Sequence, residues 1–190
     1  ISTDAIKFAI SKYKRPNLEF LEMDCRDLKF TDATFDAVIS QDTIEHIHED
    51  KKFLSEIVRV LKPYGIAIIF TPHSKMHNEN PVNPFHIREY SKQSFENLLR
   101  ECFAQVKIYG RQLENELKEL ERTLNQVRRF DKFGIRLLIP RKIRHFLGSV
   151  VARVSRKITL NDVSTEHIRY TETINGETTT LVAVCRKSDS

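Results

Sequence analysis

The segment QDTIEHI, residues 41–47, carries three side chains that can move a proton or hold a cation: Asp42, Glu45 and His46. Histidine titrates near neutral pH, which suits a group that removes the proton of a hydroxyl during a transfer reaction. Capping of the next helix, or hydrogen bonding within the loop, would also explain Glu45 and His46. We name His46 as the leading candidate for a catalytic base, with Glu45 and Asp42 beside it.

A metal site is the alternative use of the same side chains. Asp42, Glu45 and His46, joined by His86 of NPFHIREYS, offer two carboxylates and two imidazoles. This ligand set suits manganese, iron or zinc better than magnesium. These four positions resemble those that small-RNA 2′-O-methyltransferases use to hold a divalent metal, but our primary expectation is that no metal is bound.

A strand, a helix and a second strand position this segment. Residues 37–39 and 66–70 are short, β-branched runs typical of buried parallel strands. Asp50 can cap the intervening helix, and the proline and glycine of KPYG end it, with Gly65 free to adopt a positive φ. The apolar face of the helix is formed by Phe53, Leu54, Ile57, Val58 and Leu61. The pattern predicts one βαβ crossover of a nucleotide-binding fold.

The flanking sequence continues the alternation of helices and strands. Ser2 or Thr3 can cap a helix with Ile6, Ala9, Ile10 and Tyr13 on one face, and residues 17–23 then form a strand that ends at Asp24. Further on, a helix capped by Ser91 precedes a strand at 104–109, and a last strand covers 180–186.

These residues resemble a known family. NLEFLEMDCRDLKFTDATFDAVISQDTIEHI, followed by FLSEIVRVLKPYGIAIIFTPH, is similar to the class I S-adenosylmethionine-dependent methyltransferases, particularly the branch that modifies small molecules and glycans. The resemblance covers residues 1–110 and implies a Rossmann-like, doubly wound α/β sheet with S-adenosylmethionine as cofactor. It places the adenine beside Asp24 and Cys25, although Asp24 also suits a turn at the end of a strand. Ser40 and Gln41 would contact the cofactor at the end of the fourth strand, where open α/β sheets bind ligands.

The glycine-rich turn of this family is not found in the sequence. The chain has five glycines and no GxG, and it starts at Ile1, where the second strand of the family would already be complete. We therefore expect an N-terminally truncated fragment whose sheet lacks the first two strands. Unpaired strand edges should make it fold poorly, and the missing cofactor loop should make it inactive, although its intact parent is a methyltransferase.

The resemblance also divides the chain into domains. Residues 1–110 form a partial core, 111–178 a helical, basic insertion or cap with a heptad-like leucine pattern, and 179–190 the last core strand and tail. Much of the formal charge of +5 lies in residues 130–157, where basic and apolar side chains alternate. A solvated helical face is the first interpretation of this segment, and peripheral contact with an anionic membrane is the second. Nucleic acid is disfavoured as a partner.

The expected reaction is methyl transfer to a hydroxyl-type acceptor, a sugar or glycan precursor that could be lipid-linked. One alternative is a metal-assisted RNA 2′-O-methyltransferase, whose metal positions resemble Asp42, Glu45, His46 and His86, with an aspartate in place of the first glutamate. Another is a non-catalytic interaction module with a degenerate methyltransferase fold. No apolar run reaches the ~20 residues that span a bilayer. The three cysteines are widely spaced and lack a CxxC, so we expect a reducing, cytoplasmic location.

Overall fold

The computed structural model describes residues 2–81, 83–113 and 168–189. The described chain contains α1 (Thr3–Lys12), β1 (Phe35–Gln41), a 3-10 turn (Ile44–His46), α2 (Asp50–Val60), β2 (Leu61–Pro72), α3 (Lys92–Arg100), β3 (Gln105–Leu113), β4 (Ile168–Thr171) and β5 (Thr178–Arg186). It divides into a first unit, Ile1–Ile108 with Leu181–Ser190, and a second unit, Tyr109–Thr180. The predicted leucine-rich helix and the basic segment 130–157 lie outside the described residues.

The first unit is an open, mixed α/β sheet with strands in the order β1-β2-β5-β3. β1 and β2 are parallel, with Ala37 opposite Ile66 and Gln41 opposite Phe70, as the crossover pattern predicted. At the start of β2, the Gly65 carbonyl accepts from Lys187 N and Tyr64 N donates to the Ser188 carbonyl, the pattern of an antiparallel neighbour. The predicted α/β class is confirmed.

The core of this unit is formed where the two helices bury their apolar stripes. Burial of one large apolar side chain stabilises a fold by about 1.5–3 kcal/mol. The helices contribute Phe53, Leu54, Ile57, Val60, Phe95, Leu98 and Leu99, and the strands contribute Leu61, Ala67, Ile69, Leu181 and Ala183. Helical spacing in the sequence therefore identified the packed faces of α2 and α3, with two corrections. Leu61 is buried as the first residue of β2 and not in the helix, and Val58 is half-buried.

Serines begin two of the helices, as predicted. Ser91 Oγ accepts from Ser94 N, and Ser94 Oγ accepts in turn from Ser91 N, which forms a capping box at α3. Ser2 Oγ accepts from Ala5 N at 3.3 Å at the start of α1. The prediction that Asp50 caps α2 was wrong. Glu49 occupies the N-cap position, and Asp50 follows it as the first helical residue. The Asp50 carboxylate accepts from Lys51 N at 2.8 Å through Oδ1, and from Arg88 Nη1 at 2.5 Å and the Tyr90 hydroxyl at 2.9 Å through Oδ2.

At the junction between α2 and β2, the residue with a positive φ is not the one that was predicted. Tyr64 is the residue with positive φ, at 60°, and Gly65 is not. Gly65 is required for space, because a Cβ there would lie 2.9 Å from the Lys62 carbonyl oxygen and 3.3 Å from that of Asp36. The glycine therefore permits close approach of backbones rather than a left-handed turn.

The predicted strand at residues 17–23 was wrong, because the described chain has no strand there. A strand needs a neighbour to pair its backbone groups. Among the described residues β1 pairs with β2 alone, and no ladder reaches 17–23. The predicted apolar face of α1 is likewise not packed, since none of its residues is buried.

The second unit contains a strand that the sequence did not predict. Residues 110–113 of β3 pair antiparallel with β4, and the Thr179 hydroxyl of β5 donates to the Arg111 carbonyl at 3.3 Å. Gly110 lies against Thr178, so that a Cβ there would fall 2.8 Å from its side chain. The two described ends of the expected helical insertion 111–178 are thus strand. Of the helices described, none is both long and apolar enough to cross a bilayer.

Candidate functional site

A sharp turn follows β1 and carries the first candidate residue. Asp42 has a φ of 48°, in the left-handed region, and its N–H donates to the Phe70 carbonyl at 3.2 Å. The left-handed region costs most L-residues about 1–2 kcal/mol, and aspartate tolerates it better than most. The Thr43 hydroxyl donates to the Gln41 carbonyl at 3.0 Å. The turn directs the chain from the carboxyl end of β1 into the 3-10 turn at Ile44–His46.

Glu45 is the middle residue of the 3-10 turn, and its carboxylate side chain is fully buried. Its Oε2 accepts from the Thr71 hydroxyl of β2 at 3.1 Å. Its Oε1 has no hydrogen-bond partner among the described residues. Removal of the carboxylate from water raises the pKa of Glu45. A buried polar atom without a hydrogen-bond partner is energetically costly, so Oε1 is a candidate contact for a bound cation or hydrogen-bond donor.

The rings of His46 and His86 make a T-shaped, edge-to-face contact, with centroids 5.0 Å apart. His46 Nδ1 contacts the Phe85 carbonyl at 2.6 Å, so Nδ1 is the donor and Nε2 keeps the lone pair of the neutral ring. His46 Nε2 lies 3.9 Å from Glu45 Oε1. One ligand atom from each of Glu45, His46 and His86 falls within 4.8 Å of the others. We refer to these three residues as the Glu45–His46–His86 cluster.

Backbone and ionic contacts hold the two halves of the cluster together. The Glu45 carbonyl accepts from Ile87 N at 2.8 Å, which places His86 beside the 3-10 turn. Arg88 pairs with Asp50, at the start of α2, and donates to the His48 carbonyl at 3.1 Å. These bonds explain how residues forty positions apart in sequence reach one site. The sequence named His86 as a candidate, but it gave no signal for the backbone link through Glu45.

A cleft of about 420 Å³ opens beside His46, within the usual size of small-ligand sites. The candidate cofactor residues Asp24 and Cys25 line it, so the structure brings them to the same cleft as His46. The full lining comprises Met23, Asp24, Cys25, Arg26, His46, Ile47 and His48.

Asp24 is held by Arg26, a residue that the sequence analysis did not single out. Its Oδ1 accepts from Arg26 N at 2.9 Å and Nε at 3.1 Å, and its Oδ2 accepts from Nη2 at 2.7 Å. The guanidinium holds the pKa of Asp24 well below its usual range. A carboxylate has about four acceptor positions, so one remains for an N–H of a ligand. The residues at this end of the cleft therefore fit an adenine amino group.

The remaining candidates lie near the cluster without joining it. Ser40 is buried near the carboxyl end of β1, and its Oγ has no hydrogen-bond partner among the described residues. Gln41 is exposed at the end of the same strand. Asp42 is exposed and is not in the group of close ligand atoms, so three of the four residues of the metal alternative come together.

Comparison with known sequences gives a consistent family. Residues 1–69 match the family described as a methyltransferase domain. The chain is 30% identical over 110 residues to a probable S-adenosylmethionine-dependent methyltransferase of Mycobacterium tuberculosis, covering 56% of this chain and 39% of that protein. It is 37% identical over 60 residues to the demethylmenaquinone methyltransferase of Renibacterium salmoninarum, covering 32% of this chain and 25% of that protein. The chain therefore spans well under half the length of these relatives.

A third relative is the phthiotriol/phenolphthiotriol dimycocerosates methyltransferase of Mycobacterium tuberculosis. The chain is 30% identical to it over 77 residues, covering 40% of this chain and 27% of that protein. Like the first two relatives, it carries a methyltransferase name.

Solved structures share the fold at low sequence identity. The YcgJ protein of Bacillus subtilis superposes with a TM-score of 0.55 at 14% identity, covering all of this chain and 80% of that one. An S-adenosylmethionine-dependent methyltransferase of Thermotoga maritima gives a TM-score of 0.51 at 15% identity, covering 88% and 63%. The likeness confirms the Rossmann-like sheet. The family match over residues 1–69 and this fold make the chain similar to the S-adenosylmethionine-dependent methyltransferases.

Proposed function

We propose that this protein transfers a methyl group from S-adenosylmethionine to a hydroxyl-type acceptor on a small molecule, with a sugar or glycan precursor as the expected acceptor class. The observation that carries the proposal is one cleft lined both by Asp24 and Cys25 and by His46 of the Glu45–His46–His86 cluster. S-adenosylmethionine supplies an electrophilic methyl group on a sulfonium. The protein must then orient the acceptor oxygen and provide for its proton.

The position of the cluster supports this role. Open α/β sheets bind their ligands at the carboxyl ends of the strands, and the 3-10 turn follows the carboxyl end of β1. Asp42 turns the chain there, and in this proposal Ser40 and Gln41 contact the cofactor from the end of β1. His46 is oriented by the Phe85 carbonyl, which leaves Nε2 as the atom that accepts from the acceptor hydroxyl. In-line displacement depends on such fixed orientation.

The names of the relatives support a small-molecule acceptor. Demethylmenaquinone and phthiotriol dimycocerosate are small molecules, and the second name denotes a triol. Neither is RNA, so the RNA 2′-O-methyltransferase is not favoured. A non-catalytic interaction module is not favoured either, because the named relatives are methyltransferases. In this proposal residues 1–110 and 179–190 hold the cofactor and residues 111–178 select the acceptor. A lipid-linked acceptor would bring residues 130–157 to an anionic membrane surface.

The test measures transfer of a labelled methyl group to a panel of acceptors. The panel contains sugars and glycan precursors, lipid polyols, quinols, amines and RNA. The assay uses the chain and, separately, the longest natural protein that contains it, because the relatives are much longer. We expect transfer to a hydroxyl acceptor, with kcat about 10²- to 10⁴-fold lower in His46→Gln, since this is the usual contribution of a group that handles the reacting proton.

His77→Gln is the matched control for this experiment. His77 pairs with Glu79 at 2.6 Å outside the cluster, so kcat should stay near that of the wild type. Transfer to amines or RNA alone would contradict the proposed acceptor. A wild-type rate in His46→Gln would contradict the role of the cluster.

A further inference from the structure

We infer that Glu45, His46 and His86 form a binding site for one divalent transition-metal cation. The three residues offer one carboxylate oxygen and two imidazole nitrogens within 4.8 Å of one another. Cation binding goes beyond the proposed methyl transfer and does not depend on it, but a bound cation would replace the role of His46 as proton acceptor with that of a ligand.

The first support is the state of the Glu45 carboxylate. The side chain is fully buried, and its Oε1, 3.9 Å from His46 Nε2, has no hydrogen-bond partner among the described residues. A buried acceptor that lacks a partner costs about 1–3 kcal/mol. A cation placed between Oε1 and Nε2 would remove that cost, because carboxylate oxygen is a ligand for it.

The second support is the way in which both imidazoles are anchored. His46 Nδ1 contacts the Phe85 carbonyl at 2.6 Å, and His86 Nδ1 contacts Glu89 Oε1 at 3.0 Å. Metal-binding histidines characteristically donate their other ring N–H to a carbonyl or a carboxylate, which fixes the tautomer. Asn83 Nδ2 lies 2.8 Å from His86 Nε2, and an amide donor there indicates that Nε2 carries the lone pair. The cation would take the place of Asn83 at this atom.

The distances are compatible with a cation after a small adjustment. Metal–ligand bonds of about 2.0–2.1 Å in a tetrahedral site imply ligand atoms about 3.3 Å apart. The separation between Glu45 Oε1 and His46 Nε2 is 3.9 Å, and all three ligand atoms lie within 4.8 Å of one another, so each pair must close by at most about 1.5 Å. The His46 side chain is 40% exposed and has room to rotate.

The ligand set indicates which cations bind and how many coordination positions remain open. Two imidazoles and one carboxylate suit zinc, iron, cobalt or manganese better than magnesium or calcium. Three protein ligands leave at least one position open, as in catalytic rather than structural zinc sites. An acceptor hydroxyl in that position would become more acidic, and its proton would pass to solvent water. In the cation-loaded protein His46 is therefore a ligand and not the proton acceptor.

Equilibrium dialysis of the tag-free, chelator-treated chain with Zn²⁺, Co²⁺, Mn²⁺ or Mg²⁺ tests this inference without cofactor or acceptor. We expect one Zn²⁺ or Co²⁺ per chain, weaker binding of Mg²⁺, and visible Co²⁺ absorption typical of nitrogen and oxygen ligands. His46→Gln and His86→Gln should each raise Kd by at least tenfold. The control His77→Gln removes a histidine of a histidine–carboxylate pair outside the cluster and should bind as the wild type does.

Absence of stoichiometric binding would overturn the inference, as would unchanged Kd in both cluster variants or an equal loss in His77→Gln. Far-UV circular dichroism checks that the variants fold. If His86→Gln does not fold, His46→Gln decides, because its ring is partly exposed. A protein that binds the cation and transfers no methyl group would refute the proposed function alone. Methyl transfer without any cation binding would refute the metal site alone.

Discussion

At the scale of single residues, several charged side chains serve to attach a loop to a helix. The Arg59 guanidinium donates to the carbonyls of Leu28 and Phe30 at 2.8 and 2.7 Å, and it binds Glu56 through two nitrogens. Glu56 Oε2 also accepts from Leu28 N at 2.7 Å. One bidentate pair on α2 therefore holds residues 28–32, which otherwise have no regular structure to fix them.

This pair predicts a specific acid sensitivity. The hydrogen bond from Arg59, followed by that from Leu28 N, lowers the pKa of Glu56 from 4.5 to about 2. Because the folded pKa lies below the unfolded one, the stabilisation is complete above pH 4.5 and is lost as the pH falls from 4.5 to 2. We expect Glu56→Gln to lower the free energy of unfolding at pH 7 by about 1–3 kcal/mol. The free energy of unfolding of Glu56→Gln should then fall less between pH 7 and pH 3 than that of the wild type.

Urea denaturation at the two pH values measures both effects. The control is Glu96→Gln on α3, whose carboxylate pairs with Arg100 one turn away on the helix. Such pairs contribute about 0.3–0.5 kcal/mol, so this variant should stay close to the wild type at pH 7. An acid response of Glu56→Gln equal to that of the wild type would rule out the lowered pKa.

At the scale of elements, the sequence predicted those that are stabilised by their own pattern. The stripes of α2 and α3, the caps at Ser2 and Ser91, and the parallel pairing of β1 with β2 follow from spacing and residue type. The strand at residues 17–23 did not form, because a strand depends on a partner that local pattern does not contain. The same limit applies to the cluster. QDTIEHI supplied Glu45 and His46, but the bond from Ile87 N to the Glu45 carbonyl is a long-range contact.

The α2–β2 junction gives the prediction at this scale. A methyl group at Gly65 would lie 2.9 Å from the Lys62 carbonyl oxygen, and a backbone atom cannot move aside as a flexible side chain can. We expect Gly65→Ala to lower the free energy of unfolding by about 1–3 kcal/mol. Gly176→Ala is the control, since nothing lies within 4 Å of its added Cβ. Thermal and urea denaturation of both variants measure the difference, and equal stability would contradict the close approach.

At the scale of the whole molecule, the first unit exposes apolar surface where its elements have no neighbour among the residues that the structure describes. β1 is bonded only to β2 among the described residues, and Ile39 on this strand is 67% exposed. Phe8 and Ile10 of α1 are also more than half exposed. An open strand edge with an exposed apolar side chain is a template for pairing with another chain. Self-association of this chain should therefore begin at β1.

The variant Ile39→Lys tests whether self-association begins at β1. A lysine on an edge strand opposes the addition of another strand, so we expect less self-association at high protein concentration. Because the position is exposed, the lysine stays solvated and the free energy of unfolding should change by under about 0.5 kcal/mol. Static light scattering and size-exclusion chromatography over a concentration series measure it. Gln93→Lys, on the exposed face of α3, adds the same charge away from β1 and is the control. Because a net charge of +5 already opposes association, equal improvement by both variants would assign the effect to repulsion and not to the strand edge.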